Sequence, residues 1–445
     1  MLELDDIQHI LLTRVPALTG RYEFLSFRNA AGGRAWLSAI ADKVQSAAAI
    51  QASINQDKRW VTVAFTWSGL RALGVDEVSL STFPEEFKQG MVARAEVLGD
   101  TGENHPDKWV GGLARPDLHA IVILFARDAA ERERCQGEHD KLVAQCEGVE
   151  VLSTLDLDAT PPIDYAHDHF GYRDRLSQPV IEGSGELPTP GSGAPLRPGE
   201  FILGYPDESG QAYPMPQPEI LSRNGSYMAY RCMQEHVGRF RHFLRQHGQT
   251  PQEQEFVAAK LMGRWRSGAP LVLAPETDDP GLGLDPQRNN DFNYKEMDPH
   301  GYAVPLGSHM RRMNPRDTAA NMNRRRMIRR GATYGPYLPE DAPEDGVERG
   351  IAAFVICASL IRQYEFAQNV WVNDRNFHEL GNERDPIIGN HDGTLEFKIP
   401  KRPMRKKITG LPAFTTVRGG AYFFLPGITA LRHLSTLPDN RQAQV

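Results

Sequence analysis

Short apolar segments with the two-residue period of β-strands alternate along this chain with segments of helical spacing, and that alternation restricts the fold more than any other feature. Residues 7–12 and 22–27 predict strands, 34–53 a helix, and 60–67 (WVTVAFTW) an alternating strand. Ser68 opens a short helix that stops at Gly74, and 84–99 forms another. Residues 118–128 make the most apolar strand of the first third, followed by a charged helix over 129–146 and a returning strand, VEVLSTLDLD. The order is strand, strand, helix, strand, helix, helix, strand, helix, strand. It favours an α+β fold with antiparallel pairing beneath helices over a wound parallel sheet.

Between 182 and 199 the chain becomes EGSGELPTPGSGAPLRPG, a linker composition. A second irregular tract covers 275–301, and the earlier grammar then resumes: a buried strand at 351–360, a helix at 361–374, and a strand at 419–425 leading through Pro426 into a helix. Two domains of similar grammar follow, 1–182 and 201–445, joined by 183–200, without a residue-level repeat.

Fifty basic against fifty-seven acidic residues give a formal charge of -7, which argues against a nucleic-acid partner. The four cysteines lie far apart with no CxxC or CxxCH, excluding covalent c-type haem attachment and arguing against zinc-ribbon and iron–sulfur sites. So few thiols suit a reducing compartment. The start, MLELDDIQHILL, is acidic where a signal peptide is basic, and no run approaches eighteen apolar residues. The expectation is a cytoplasmic protein with no membrane span.

The chemistry concentrates in 301–335, GYAVPLGSHMRRMNPRDTAANMNRRRMIRRGATYG, which holds one histidine, His309, eight arginines, no lysine and one acid, Asp317. Arginine without lysine suggests forked recognition of fixed carboxylates or phosphates. One histidine cannot close a zinc site but suffices as the axial ligand of a haem, whose propionates need cationic partners. The same composition also describes a solvated helix face or a nucleic-acid patch, and the stretch alone does not separate these readings.

A second stretch, FGYRDRLSQP at 170–179, resembles the signature around the distal aspartate of dye-decolourising peroxidases, and GSHMRRMNPRD resembles their axial-histidine segment. VAFTWSGLRALG, FPEEFKQGMVARAEVLGD, PGEFILGY, RNGSYMAYR, LMGRWRSGAPL, IRRGATYGP, DPIIGNHDG and RGGAYFFLPG are similar to further blocks of that family, in the family's order. The resemblance is nearest the longer-chain bacterial cytoplasmic branches. Two departures stand out: Arg175 follows the aspartate where the family often has glycine, and VPLGSH precedes the histidine where many members have cysteine and phenylalanine.

The resemblance implies two ferredoxin-like α+β domains of the dimeric α/β-barrel type. It implies one haem b per chain, with His309 as proximal ligand, Asp174 as distal acid/base and Arg329 beside it. Asp385 is the expected carboxylate behind His309, with Asp392 as the alternative. Arg311 and Arg330 are expected at the propionates and Phe354 in the distal pocket. The implied activity is reduction of hydrogen peroxide and oxidation of dyes, phenolics or other aromatic reductants through a ferryl intermediate, with Trp371, Tyr334, Tyr337 and Tyr364 as relay candidates. A haem carrier or a haem-deferrating protein on the same fold is the alternative, and a homo-oligomer is compatible with the sequence.

Overall fold

The computed structural model of the chain describes residues 1–158, 167–174 and 176–438; Arg175 lies outside them. One eight-stranded sheet dominates. Its first half is β1 (Thr19–Phe27), β2 (Arg59–Phe65), β3 (Ala120–Ala126) and β4 (Val149–Asp158); its second is β5 (Ser226–Glu235), β6 (Ile328–Tyr334), β7 (Gly350–Cys357) and β10 (Thr415–Leu425). A separate hairpin pairs β8 (Glu396–Ile399) with β9 (Lys406–Thr409). The order is β4-β1-β3-β2-β10-β5-β7-β6, every pairing antiparallel. Each half therefore repeats the ferredoxin-like order fourth, first, third, second. The halves join where Phe424 of β10 faces Phe65 of β2, and the outer strands β4 and β6 come back into contact, closing the sheet towards a barrel.

Strand alternation sorts the side chains. Tyr22, Phe24, Ile123, Tyr230, Phe354 and Phe423 point inward into one cluster. Leu25, Phe27, Val122 and Phe424 point outward beneath Trp36, Leu37 and Leu431 of the covering helices. Burying each such side chain is worth roughly 1.5–3 kcal/mol.

Several boundaries differ from the sequence expectation, each for a local reason. The helix expected over 34–53 is two, Ala30–Ala41 and Ala47–Ser53, because the Ser46 hydroxyl accepts the Ala49 N–H and starts a second helix. Thr66, not Ser68, caps the helix Trp67–Leu73, accepting from Gly69 N at 3.0 Å. Gly90, at φ 74°, breaks the helix expected over 84–99.

Residues 7–12 form no strand; they hold a helical turn, His9–Leu12. The Gln8 amide donates to Val63 O and Pro426 O, each at 2.9 Å, and accepts from Val63 N at 3.2 Å. It thus staples the β2–β10 seam while Ile10, Leu11 and Leu12 turn into the interior cluster. Apolar spacing alone does not distinguish such a plug from a strand. The tract 183–200 is tied down: Glu182 N donates to Leu196 O and Leu196 N to Val180 O, both at 2.8 Å, and Gln51 Nε2 to Ser184 O at 3.0 Å.

Gln8→Leu leaves Val63 N and two buried carbonyls without this partner. Urea unfolding should show a loss of about 1–3 kcal/mol per group left unsatisfied, with an unchanged denaturant slope.

Candidate active site

In the first half of the sheet, Ala30–Ala41 links β1 to β2 and Ala129–Gln145 links β3 to β4. In the second half the chain leaves β5 at Glu235 and returns only at Ile328, and this long insertion carries the helices Val237–His247, Pro251–Met262 and His309–Met313. A cavity of about 1810 Å³, measured to its open mouth, lies between the insertion and the outward faces of β5, β6 and β7. Small residues clear its floor. At Gly331 a Cβ would stand 2.9 Å from Ala352 O, and Ala353 lies beside it.

His309 is the first residue of its helix and borders the cavity. Two contacts fix that helix. The Ser308 hydroxyl donates to Lys260 O at 2.6 Å. The buried Arg312 guanidinium donates to the carbonyls of Trp371 and Glu383 at 2.7 and 2.9 Å. His309 Nδ1 lies 2.9 Å from Asp385 Oδ2. The other Asp385 oxygen accepts from Ile387 N and Ile388 N, at 2.9 and 3.0 Å. Burial pushes this carboxyl up, but the facing His309, the Ile388 N–H and Arg312 outweigh it and hold it below the usual carboxylate range. The carboxylate thus engages Nδ1 and leaves Nε2 to the cavity. Asp392, by contrast, is exposed and accepts from Thr394 N and Oγ1 in its own turn.

Asp174 and Arg329 border the same cavity. Arg329 leaves β6 with its N–H on Gln178 Oε1 at 3.0 Å and its Nη2 on Ser177 O at 2.5 Å, so one guanidinium edge is anchored to the segment that follows Asp174. Phe354, expected in the distal pocket, sits on the β7 wall of the cavity but turns its ring into the interior cluster, 4.9 Å from Tyr22 and 5.1 Å from Tyr230.

The two arginines expected at the propionates are placed otherwise. Arg311 is buried in an ion pair with Asp298 at 2.9 Å, stacks 4.2 Å over Tyr294, and does not border the cavity. Arg330 touches the cavity wall, but its guanidinium donates to Ile10 O at 2.8 Å and Leu11 O at 3.3 Å, closing the end of the first helical turn. Burial pulls it down to about 10, with Glu186 opposing.

A smaller recess, about 700 Å³ with the solvent at its mouth included, was not anticipated. It shares Arg264, Met310, Met313, Met327 and Arg329 with the main cavity, and Arg316, Arg325 and Arg326 also line it; among the described residues no acid lies on its wall. Arg316 and Arg264 are bonded to backbone carbonyls. Arg326 has no side-chain hydrogen bond among the described residues, and burial, with Arg329 and Arg316 close by, pulls it down to about 10. The composition of 301–335 announced this charge; it did not say which arginines would be spent on Asp298 and on carbonyls.

Two further acids border the cavity. Asp168 accepts from Tyr172 N at 2.7 Å and Glu235 from His169 N at 3.2 Å. Burial raises Asp168 to about 7, with Asp174 reinforcing and the Tyr172 N–H and Arg266 opposing. Burial, with Asp168 beside it, pushes Glu235 well above the usual range.

Fold and site together define an enzyme of the dimeric α+β barrel type with a half-buried, carboxylate-backed histidine bordering a large cavity. A family model described as the DyP dimeric alpha+beta barrel domain matches residues 6–152. Peroxidase 2 of Mycetinis scorodonius is 30% identical over 462 residues, covering 97% of this chain and 87% of its own, and a dye-decolorizing peroxidase of Exidia glandulosa is 30% identical over 455 residues, covering 97% and 86%. A solved ancestral D-type dye decolorizing peroxidase superposes with a TM-score of 0.87 at 28% identity, over 98% of this chain and 100% of its own. A dye-decolorizing peroxidase in complex with 2,6-dimethoxyphenol superposes with a TM-score of 0.86 at 27% identity, with the same coverage. The chain belongs to the dye-decolorizing peroxidase family and is an enzyme of the peroxidase kind. Among the described residues no helix is long and apolar enough to cross a membrane.

The raised carboxyls carry a sign. A group that binds its proton more tightly when folded contributes stability that is complete below the unfolded value, about 4, and is lost as pH rises through the folded one, about 7 for Asp168. Melting temperature should therefore fall across that window, and Asp168→Asn combined with Glu235→Gln should flatten the fall.

Proposed function

We propose that the cavity holds haem b, one per chain, with His309 Nε2 as the axial ligand, and that the enzyme reduces hydrogen peroxide at the expense of aromatic reductants such as phenolics and dyes. The observation that carries this is the His309–Asp385 contact at 2.9 Å, which presents Nε2 to a cavity large enough for a macrocycle. The recess, with no acid among the described residues on its wall, suits the propionates, and Arg326, rather than Arg311, is the cation assigned to them. When bound, haem supplies an iron centre that takes peroxide and delivers two oxidising equivalents. A relative solved with 2,6-dimethoxyphenol supports a phenolic donor, and another solved with cyanide supports an open iron position in that protein.

The chain's own residues divide the work. Asp385 holds the His309 Nδ1 proton and makes the imidazole a stronger donor at Nε2. Asp174 accepts a proton from the near oxygen of peroxide and returns it to the leaving oxygen, directly or through one water. Arg329, its charge fixed and one edge tied to Ser177 O, stabilises negative charge on the leaving oxygen. The small and apolar residues of the β6 and β7 floor keep bulk water from the reacting face. We propose the chain's division as a unit 1–182, a connector 183–200 and a haem-holding unit 201–445, and a cytoplasmic location.

Stopped-flow absorbance on the haem-loaded protein tests the assignment. Asp174→Asn and Arg329→Leu should each slow the peroxide reaction on the order of 10²–10⁴-fold while keeping the Soret band. His309→Ala should abolish that band, and Asp385→Asn should weaken haem retention about 10–100-fold. Unchanged peroxide rates in the Asp174 and Arg329 variants would turn the reading towards a haem carrier.

A further inference from the structure

The hairpin of β8 and β9 carries a charge that the cavity does not use. From 401 to 407 the chain reads KRPMRKK, five basic residues and no acid in a chain whose formal charge is -7. All seven are exposed. Strand alternation anchors the hairpin beneath them: Phe397, Ile399 and Ile408 point inward and share a cluster with Phe240, Phe243 and Leu244 of the helix Val237–His247. Lys406 Nζ donates to His247 O at 3.0 Å, and Arg239 of that helix donates to Ala413 O at 2.8 Å, so helix and hairpin lie side by side. Arg239 and Arg245 are exposed on the helix and widen the basic face. None of these basic side chains borders the cavity.

Few acids answer these charges. Glu396 is the one acid on either strand, and it is taken by Lys398 at 2.9 Å and by Lys407. Lys401, Arg405 and Arg245 have no ion pair or side-chain hydrogen bond among the described residues. The turn between the strands ends in an apolar tip, where Met404 is 78% exposed. Arg402 Nε donates to the Tyr302 hydroxyl at 3.2 Å, and its guanidinium lies 5.4 Å from the ring centre. That contact brings Tyr302, itself exposed, to the same edge.

We propose that this face docks the protein on an anionic lipid bilayer, with Lys401, Arg402, Arg405, Arg239 and Arg245 against the headgroups and Met404 and Tyr302 entering the interface. The composition of the face selects this partner. Lysine mixed with arginine on an exposed turn suits a diffuse, fluid anionic surface, whereas a fixed carboxylate or phosphate is better met by arginine forks held in a recess. A purely electrostatic partner such as an acidic peptide has no use for the exposed Met404. A bilayer interface takes basic, aromatic and apolar side chains together. The attachment is peripheral, because the turn is far too short to span a bilayer. It does not depend on the haem assignment.

Co-sedimentation of the full haem-loaded chain tests the proposal, with vesicles of phosphatidylcholine alone and of phosphatidylcholine mixed with an equal part of phosphatidylglycerol. The protein should pellet only with the mixed vesicles. It should be released at about 1 M salt, where the screening length falls to about 3 Å. Lys401→Glu combined with Arg405→Glu should weaken binding on the order of 10²-fold, since each reversal removes one attraction and adds one repulsion. Met404→Ser should weaken it about fivefold. These side chains are exposed, so melting temperature and peroxide turnover in solution should stay at wild-type values, which separates lost docking from lost folding. Equal pelleting with both kinds of vesicle, or with neither, would overturn the proposal, as would unaltered binding in either variant. Retention on immobilised poly-glutamate without any vesicle binding would overturn it in favour of an acidic protein.

Discussion

The contact between His309 Nδ1 and Asp385 Oδ2, 2.9 Å long and closed off from solvent on the carboxylate side, is the constraint on which the rest of the site depends. A buried carboxylate is costly unless its lone pairs are used, and here the imidazole and two backbone N–H groups use them. In return the histidine has one tautomer and one ring orientation. Arg312 ties the same helix to the carbonyls of Trp371 and Glu383, so the ligand-bearing turn and the segment carrying its carboxylate move together.

The cavity follows from an asymmetry between two otherwise equivalent units. Both have the ferredoxin-like strand order, and both bury aromatic residues in the shared interior. The first spans each crossover with a compact helix. The second replaces one crossover with the long stretch from 236 to 327, whose helices stand off the sheet instead of filling its outer face. The glycine and alanine on β6 and β7 would be a packing defect under an ordinary helix, and here they are the floor of the site.

Much of this was legible in the sequence where one physical signal dominated. WVTVAFTW alternates, and LHAIVILFARD reads as an unbroken apolar run, because one face of each strand meets helices and the other the barrel interior. His309, Asp174 and Arg329 were legible through motif resemblance, and the structure brings all three to one cavity. What escaped were choices made by tertiary contacts. Residues 7–12 are apolar enough for a strand, yet the Gln8 amide bonds one carbonyl on β2 and one just past the end of β10, and the segment becomes a plug. SYMAYRCMQE, the future β5, is buried on both faces and so lacks clear alternation. Arg311 and Arg326 are alike in sequence; only the fold sets Asp298 against the first and leaves the second facing a recess with no acid among its described residues.

The central claim is that His309 presents Nε2 to a metal across this cavity. Crystals of the haem-loaded protein, measured on either side of the iron absorption edge, test it most directly. A single anomalous peak within bonding distance of His309 Nε2, on the ring edge away from Asp385, is the predicted result. A peak elsewhere in the cavity with His309 still on Asp385, or no ordered iron at all, would contradict it.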